Sequence, residues 1–308
     1  MSVFSLIVAL LIEQIRPLPV VRVVVEPMRN LAMFAEENLN AGGYRHGVVA
    51  WLLVAGGLTL IVGVIYALLD ALNPLLGWAW NLAVLYATLG FRQVSHHFTD
   101  IHLALRLGEL DRARQLLAEW RGRSAEQLGS SEIARLAIEE ALKASHRYVF
   151  GVIFCYAVLP GPCGAVLYRA SCLLAEFWAA DGERTSIFGA FARQFFAWLD
   201  WLPQRLTAAA FAIVGDFEDA VYCWRTQASL WSEEAMGVIL AAGAGALGVR
   251  LGMPVVEEVG EVVDRADLGV GEEADVDFMQ STVGLVWRAL VLCLLVLFML
   301  SLAHWVGR

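Results

Sequence analysis

Three observations predict an all-α fold of polytopic integral membrane helices that carries a cytoplasmic helical bundle. Hydrophobic residues make up 59% of the chain, and mean hydropathy is +0.62; both are too high for an ordinary soluble domain. Long apolar runs occupy 47–69, 75–91 and 284–306. Between the second run and a further apolar stretch that begins at Tyr148 lies one charged amphipathic block, 92–147. A soluble domain spreads its polar residues along one face of every element. Here they are gathered into segments, so the solvent itself changes along the chain. Four to seven membrane segments are expected, some of them broken or re-entrant.

The elements follow in order. Residues 1–91 form the N-terminal membrane segments. The run 2–12 looks like a signal-peptide core, but no basic region precedes it and no small-residue cleavage site follows. At roughly 1.5 Å per residue it falls short of a bilayer, which points to a short or re-entrant helix. Residues 148–253 form a membrane and interfacial core of broken helices. Within it the apolar stretch 148–178 is interrupted by Pro160, Gly161 and Pro162, giving a tight hairpin or one bent helix. Such breaks at membrane depth need surrounding protein or a cavity. Weaker apolar candidates lie at 206–214 and 237–249. Residues 254–283 hold nine acidic residues against one arginine, Arg265, and read as a solvated acidic linker. A C-terminal membrane helix fills 284–308.

Lys and Arg placement sets the orientation. Residues 16–46 hold Arg16, Arg22, Arg29 and Arg45, residues 70–74 hold none, and 92–147 hold nine Lys or Arg. This places the helical block 92–147 in the cytoplasm of a multi-pass membrane protein. Inside the block, Leu103, Leu107, Leu110, Leu117 and Trp120 can share a face, interrupted at Gly108. The pattern reads as a helix, a short turn and a second helix ending near Gly122. Ser130 or Ser131 can cap the next helix, with Glu132 in its first turn, and that helix continues past Arg147.

A net charge of −9 with no basic stripe disfavours nucleic acid. The five cysteines lie in apolar surroundings with no CxxC pair, so neither a disulfide framework nor a metal site is expected. No Walker A loop, dinucleotide fingerprint, GxSxG or HExxH occurs. His96, His97 and His102 lack the i, i+4 spacing of a shared metal and read as polar surface. His146 and Arg147 read as interface anchors. Ionisable residues at membrane depth are functional candidates: Glu13 can face a central cavity toward Arg169 or Glu176. Trp198 and Trp201 bracket Asp200 as in an interfacial helix. Gly245, Gly248 and Gly252, with Ala241 and Ala244, give the spacing of closely packed helices next to Arg250.

Four stretches then resemble the CobD/CbiB family of membrane proteins: 108–142, PGPCGAVLYRA at 160–170, DWLPQRLTA at 200–208 and GALGVRLG at 245–252. They occur in family order and cover most of 90–252. The resemblance implies an amide-forming synthase that attaches aminopropanol, or its phosphate, to adenosylcobyric acid with ATP and magnesium, late in cobalamin biosynthesis. On that reading Glu139, Glu140, Glu233 and Glu234 are the catalytic candidates, and Glu13, Arg169, Arg205 and Arg250 the ligand-binding ones. Departures from the pattern matter as much. Lys143 and Ala144 stand where the family has Glu and Asn, and the Ser-Pro-Asn-x-Gly motif is replaced by residues 232–237, which keep only Gly237. The opening LIVALLIEQIRPL and the stretch 140–159 are similar to AmpE-like proteins instead. The first reading is therefore a non-catalytic or repurposed relative (regulator, sensor or scaffold) with no cofactor and no metal. The alternative is a divergent synthase using Mg2+ and ATP. Expected partners are the lipid bilayer, a corrinoid or other small ligand, a protein docking on 92–147, and a second copy in a homodimer.

Overall fold

The structure is a computed structural model that describes residues 3–16, 18–179, 187–258 and 261–307. It is all-α apart from short strands. Helix α1 (Val3–Ile15) buries Leu6, Ala9, Leu10 and Glu13 and exposes Phe4, Ile7, Leu11 and Ile15. A π-helical turn at Val21–Val25 leads into α2 (Glu26–Leu39). The apolar run at 47–69 lies within one continuous helix, Tyr44–Leu72, made of α3 (Tyr44–Trp51), a π-turn and α4 (Gly57–Leu72). Asn73 ends it and starts the next: its side chain accepts the Leu75 N–H at 2.9 Å, with Pro74 at the first position of α5 (Pro74–Thr88).

The charged block folds as α6 (Phe91–Arg106), α7 (Leu110–Arg121) and α8 (Ser130–Ser145). Gly108 and Gly122, at φ +75° and +67°, turn the chain where only glycine is unstrained. The leucine stripe does not survive this turn: Leu117 is buried, whereas Leu103 and Leu107 are exposed. Ser130 and Ser131 do not cap α8. Gly129 does, its N–H donating to Glu132 Oε2 at 2.7 Å, which frees the Ser131 hydroxyl to donate to the Ala274 carbonyl at 2.8 Å.

From α8 the chain passes through a π-turn, His146–Phe150, into α9 (Gly151–Val158) and α10 (Cys163–Phe177). The break at 159–162 is a hairpin turn, with Gly161 at φ +58°. Then come α11 (Ile187–Val214), α12 (Phe217–Gln227) and α13 (Glu234–Leu247). The segment taken for an acidic linker is folded in its described residues. After β1 (Val249–Gly252), which precedes it, it supplies β2 (Val255–Glu258), β3 (Glu261–Val263), β4 (Asp267–Leu268) and β5 (Glu272–Glu273). β1 lies between antiparallel β4 and parallel β5, and β2 pairs antiparallel with β3. The last helix, α14 (Val276–Val306), begins before the apolar run does. Tyr44–Leu72 and Val276–Ala303 are long and apolar enough to cross a membrane. Their outward side chains, among them Leu53, Leu60, Ile61 and Leu68 on one and Val291, Leu295, Phe298 and Leu300 on the other, are apolar, a surface suited to hydrocarbon and not to water.

The chain forms two compact units. One draws on Met1–Phe91, Arg147–Pro203 and Leu297–Arg308, the other on Arg92–His146 and Gln204–Val296. The core of the first gathers Ala32, Ala50, Trp51, Ala55, Leu174, Trp178 and Phe188, and the Trp178 indole donates to the Ala32 carbonyl at 3.2 Å. In the same unit Tyr168 donates to Asp200 Oδ1 at 2.8 Å, and both residues are buried while Trp198 and Trp201 face outward. Tyr168→Phe removes a hydrogen bond to a buried carboxylate and is expected to cost about 1.5–3 kcal/mol, read as a lower unfolding temperature in detergent; an unchanged temperature would show the bond to be dispensable. In the second unit, α13 is apolar all round because it is buried among α8, α12 and β1, not because it faces lipid. A Cβ on Gly245 would lie 2.4 Å from the Asp219 carbonyl oxygen, so the small-residue spacing serves close packing of α12 on α13.

Candidate functional site

The second unit contains a polar cavity of ≈ 640 Å³. Four short segments converge on it. The end of α7 and the residues after it bring Trp120, Arg121 and Arg123; α8 brings Glu140 and Lys143; the approach to α13 brings Trp231, Ser232 and Glu233; and the residues after β3 bring Asp264 and Arg265. Glu140 and Lys143 lie one turn apart, with Nζ 3.0 Å from Oε1, and Arg121 Nε is 3.9 Å from the same oxygen. The Trp231 ring lies below two cations, Arg265 Cζ at 5.4 Å and Lys143 Nζ at 6.0 Å. Four cations and three carboxylates line the walls with two indoles; Arg265 is held by Glu139 behind the wall, and Arg121, Arg123 and Lys143 offer donors suited to an oxyanion.

Glu139, next to Glu140, points elsewhere. It is fully buried, its Oε2 accepts Arg265 Nη1 at 2.8 Å, and its Oε1 accepts the Gly252 N–H at 2.9 Å. Arg265 also donates to the Met253 carbonyl at 3.1 Å and the Gly252 carbonyl at 2.9 Å. Glu139 thus holds the loop after β1 and, through Arg265, one cavity wall. Arg135, one turn before it, is pulled below the ordinary arginine value by burial, with Glu139 pulling the other way.

Of the residues singled out in the sequence, the cavity collects Glu140 and Glu233, with Glu139 behind its wall. The side chain of Glu234 lies outside the described residues. Arg205 sits on α11 away from the cavity lining, and Arg250, on β1, pairs with Glu273 at 3.5 Å at an exposed edge. Glu13 and Arg169 belong to the first unit, on α1 and α10, so they join no cavity residue within one unit. Glu176 pairs with Arg147, Nη1 to Oε1, at 3.0 Å. His146 is no interface anchor: it is fully buried, 3.0 Å from the Thr207 hydroxyl. His97 stacks on Trp120 at 5.8 Å. Trp120, Arg121, Arg123, Trp231 and Arg265 line the cavity although no motif in the sequence marks them as site residues. The signal for Arg265 was present, as the one cation in an acidic stretch.

The CobD/Cbib protein family profile matches residues 6–286. The chain belongs to the CobD/CbiB family. Its relatives include a protein of Stutzerimonas stutzeri named cobalamin biosynthesis protein CobD, 36% identical over 96% of this chain and 97% of that one. A protein of the same name from Chromobacterium violaceum is 37% identical over 64% of this chain and 63% of that one. Cobalamin biosynthesis protein CbiB of Salmonella typhimurium is 26% identical over 82% and 80%. No solved structure matches the chain. All cavity residues fall inside the CobD/CbiB match.

Proposed function

We propose that this chain serves cobalamin biosynthesis from the bacterial inner membrane, as a multi-pass protein whose 92–147 block is cytoplasmic, and that the cavity holds an oxyanion-bearing small molecule of that pathway. Near-full-length similarity to a cobalamin biosynthesis protein carries the reading. The cavity supports it: its volume suits a small ligand or one arm of a larger one. Arg121, Arg123 and Lys143 suit phosphate oxygens, and the two tryptophans suit a flat ring.

The similar enzymes' ATP and Mg2+ meet a divided answer. The cations fit nucleotide phosphates. Among the described residues no group of three or more His, Cys, Asp or Glu side chains converges to cage a metal, so magnesium would arrive on the phosphates, with Glu140 or Glu233 as protein ligand. ATP, when bound, supplies the phosphoryl group that activates a carboxylate toward an amine. The protein's share is to hold both partners in register and keep the phosphate charge neutralised.

A second reading, the non-catalytic or AmpE-like relative, is favoured by one observation: Lys143, standing where the similar enzymes have a carboxylate, is in contact with Glu140. Growth separates the two. In a strain lacking its aminopropanol-attaching synthase, with cobyric acid as the sole corrinoid, the first reading expects cobalamin-dependent growth. It also expects a drop of about ten-fold or more in corrinoid conversion for Arg123→Ala and Lys143→Ala. No growth, with folded protein in the membrane, would leave the second reading standing.

A further inference from the structure

The first unit carries a charged cluster that the cavity does not use. The charged sequence of α8 gives way to apolar sequence at Arg147 and Tyr148, inside the π-turn His146–Phe150. Such turns add a residue to the helical repeat and recur at functional sites. After the hairpin, α10 returns beside α9, which brings Glu176 to Arg147 at 3.0 Å and Cys172 Sγ to the same Glu176 oxygen at 3.6 Å. Seven residues before Glu176, Arg169 places its guanidinium 4.2 Å from the centre of the Tyr148 ring.

Arg169 is 5% exposed. Its Nε and Nη1 are buried and have no hydrogen-bond partner among the described residues. A buried guanidinium with idle donors is expensive, and a hydrophobic residue of similar volume would be the cheaper filling. Tyr148 covers one face of the group, and the N–H donors lie in the guanidinium plane, away from that face. Arg147 is paired with Glu176, while Arg169 has no ion-pair partner among the described residues. The cluster lies where the chain changes from water-compatible to apolar sequence, which is headgroup depth, where lipid phosphates sit.

We infer that Arg169, flanked by Tyr148 and Arg147, binds a singly charged phosphate group in the first unit, carried either by a lipid headgroup or by a soluble phosphorylated molecule. The site is separate from the cavity and does not rest on the proposed role in cobalamin biosynthesis.

The test is thermal unfolding of the full-length protein in an uncharged detergent. Sodium phosphate is compared with sodium chloride at matched ionic strength, and phosphatidylglycerol with phosphatidylcholine in mixed micelles. A higher unfolding temperature with phosphate or with phosphatidylglycerol is expected. Arg169→Gln should abolish that rise, and Arg169→Lys, which keeps the charge but not the planar fork, should weaken the apparent affinity about ten-fold. A rise with phosphatidylglycerol alone identifies the lipid, and a rise with inorganic phosphate identifies a soluble ligand. No rise with either anion overturns the inference, whether or not Arg169→Gln folds. So does an equal rise in Arg169→Gln or, should that variant not fold, in Arg169→Lys.

Discussion

Arg265→Ala is expected to destabilise the second unit by about 3–5 kcal/mol, a large share of the roughly 5–15 kcal/mol that holds an ordinary domain folded. The arginine is the charge partner seen for Glu139, whose side chain is fully buried while that of Arg265 is 12% exposed. Removing it leaves the carboxylate with the Gly252 N–H and with Arg135, one turn away and in no ion pair with it among the described residues, as its nearby positive charge. It also releases the Gly252 and Met253 carbonyls, and Met253 is held at φ +64°, a left-handed conformation that a side chain resists. Arg265→Met with Glu139→Met should be milder than either single change, because no buried charge is then left alone. Limited proteolysis in detergent reads the result: rapid cleavage after β1 in Arg265→Ala, slower cleavage in the double variant. A single variant within about 1 kcal/mol of the parent would mean that the pair does not hold the strands. Because Arg265 also forms the cavity wall against the Trp231 ring, loss of the latch and loss of ligand binding should appear together.

This pair also shows why part of the site was illegible. Glu139 and Arg265 are 126 residues apart, and nothing local marks them as partners. Locally determined features were legible. Glycine at 108 and 122 and the broken stretch at 160–162 each act on their own few residues, and each ends or opens a helix in the structure. The strands in 249–273 were not legible, because they are two to four residues long, too short for an alternating pattern, and are stabilised by pairing such as Leu251 with Leu268. The acidic surplus suggested a solvated linker, yet one buried arginine and backbone pairing suffice to fold it. Apolar sequence was ambiguous in the same way. The runs in α4 and α13 are of comparable hydrophobicity, but one turns its side chains outward and the other is enclosed by its own unit. The cavity needed four segments to converge, and only Glu140 and Glu233 carried a signal from the resemblance. Their cationic neighbours read as ordinary polar surface until the fold placed them.

Gly164→Val is expected to be the most damaging single change in the first unit. A Cβ at this position would lie 1.9 Å from the Cys155 carbonyl oxygen and 2.5 Å from its carbon. Both are backbone atoms of α9, so no rotamer can relieve the overlap. Ordinary contact begins at 3.4 Å, so α9 and α10 would have to part by about 1.5 Å at the hairpin, where interiors pack near crystal density. Overpacking of this kind costs about 1–3 kcal/mol and more when backbone must move, and the two β-methyl groups of valine widen the gap further. Gly164→Ala should cost less than Gly164→Val but more than a change at Gly57, where nothing lies within 4 Å. Gly57→Val is therefore the control, expected within about 0.5 kcal/mol of the parent. Unfolding temperatures of the three variants in the same detergent rank them. If Gly164→Val were as mild as Gly57→Val, the close approach of the two helices at Cys155 would not exist in the membrane, and the hairpin that sets Tyr148 beneath Arg169 would have to be redrawn.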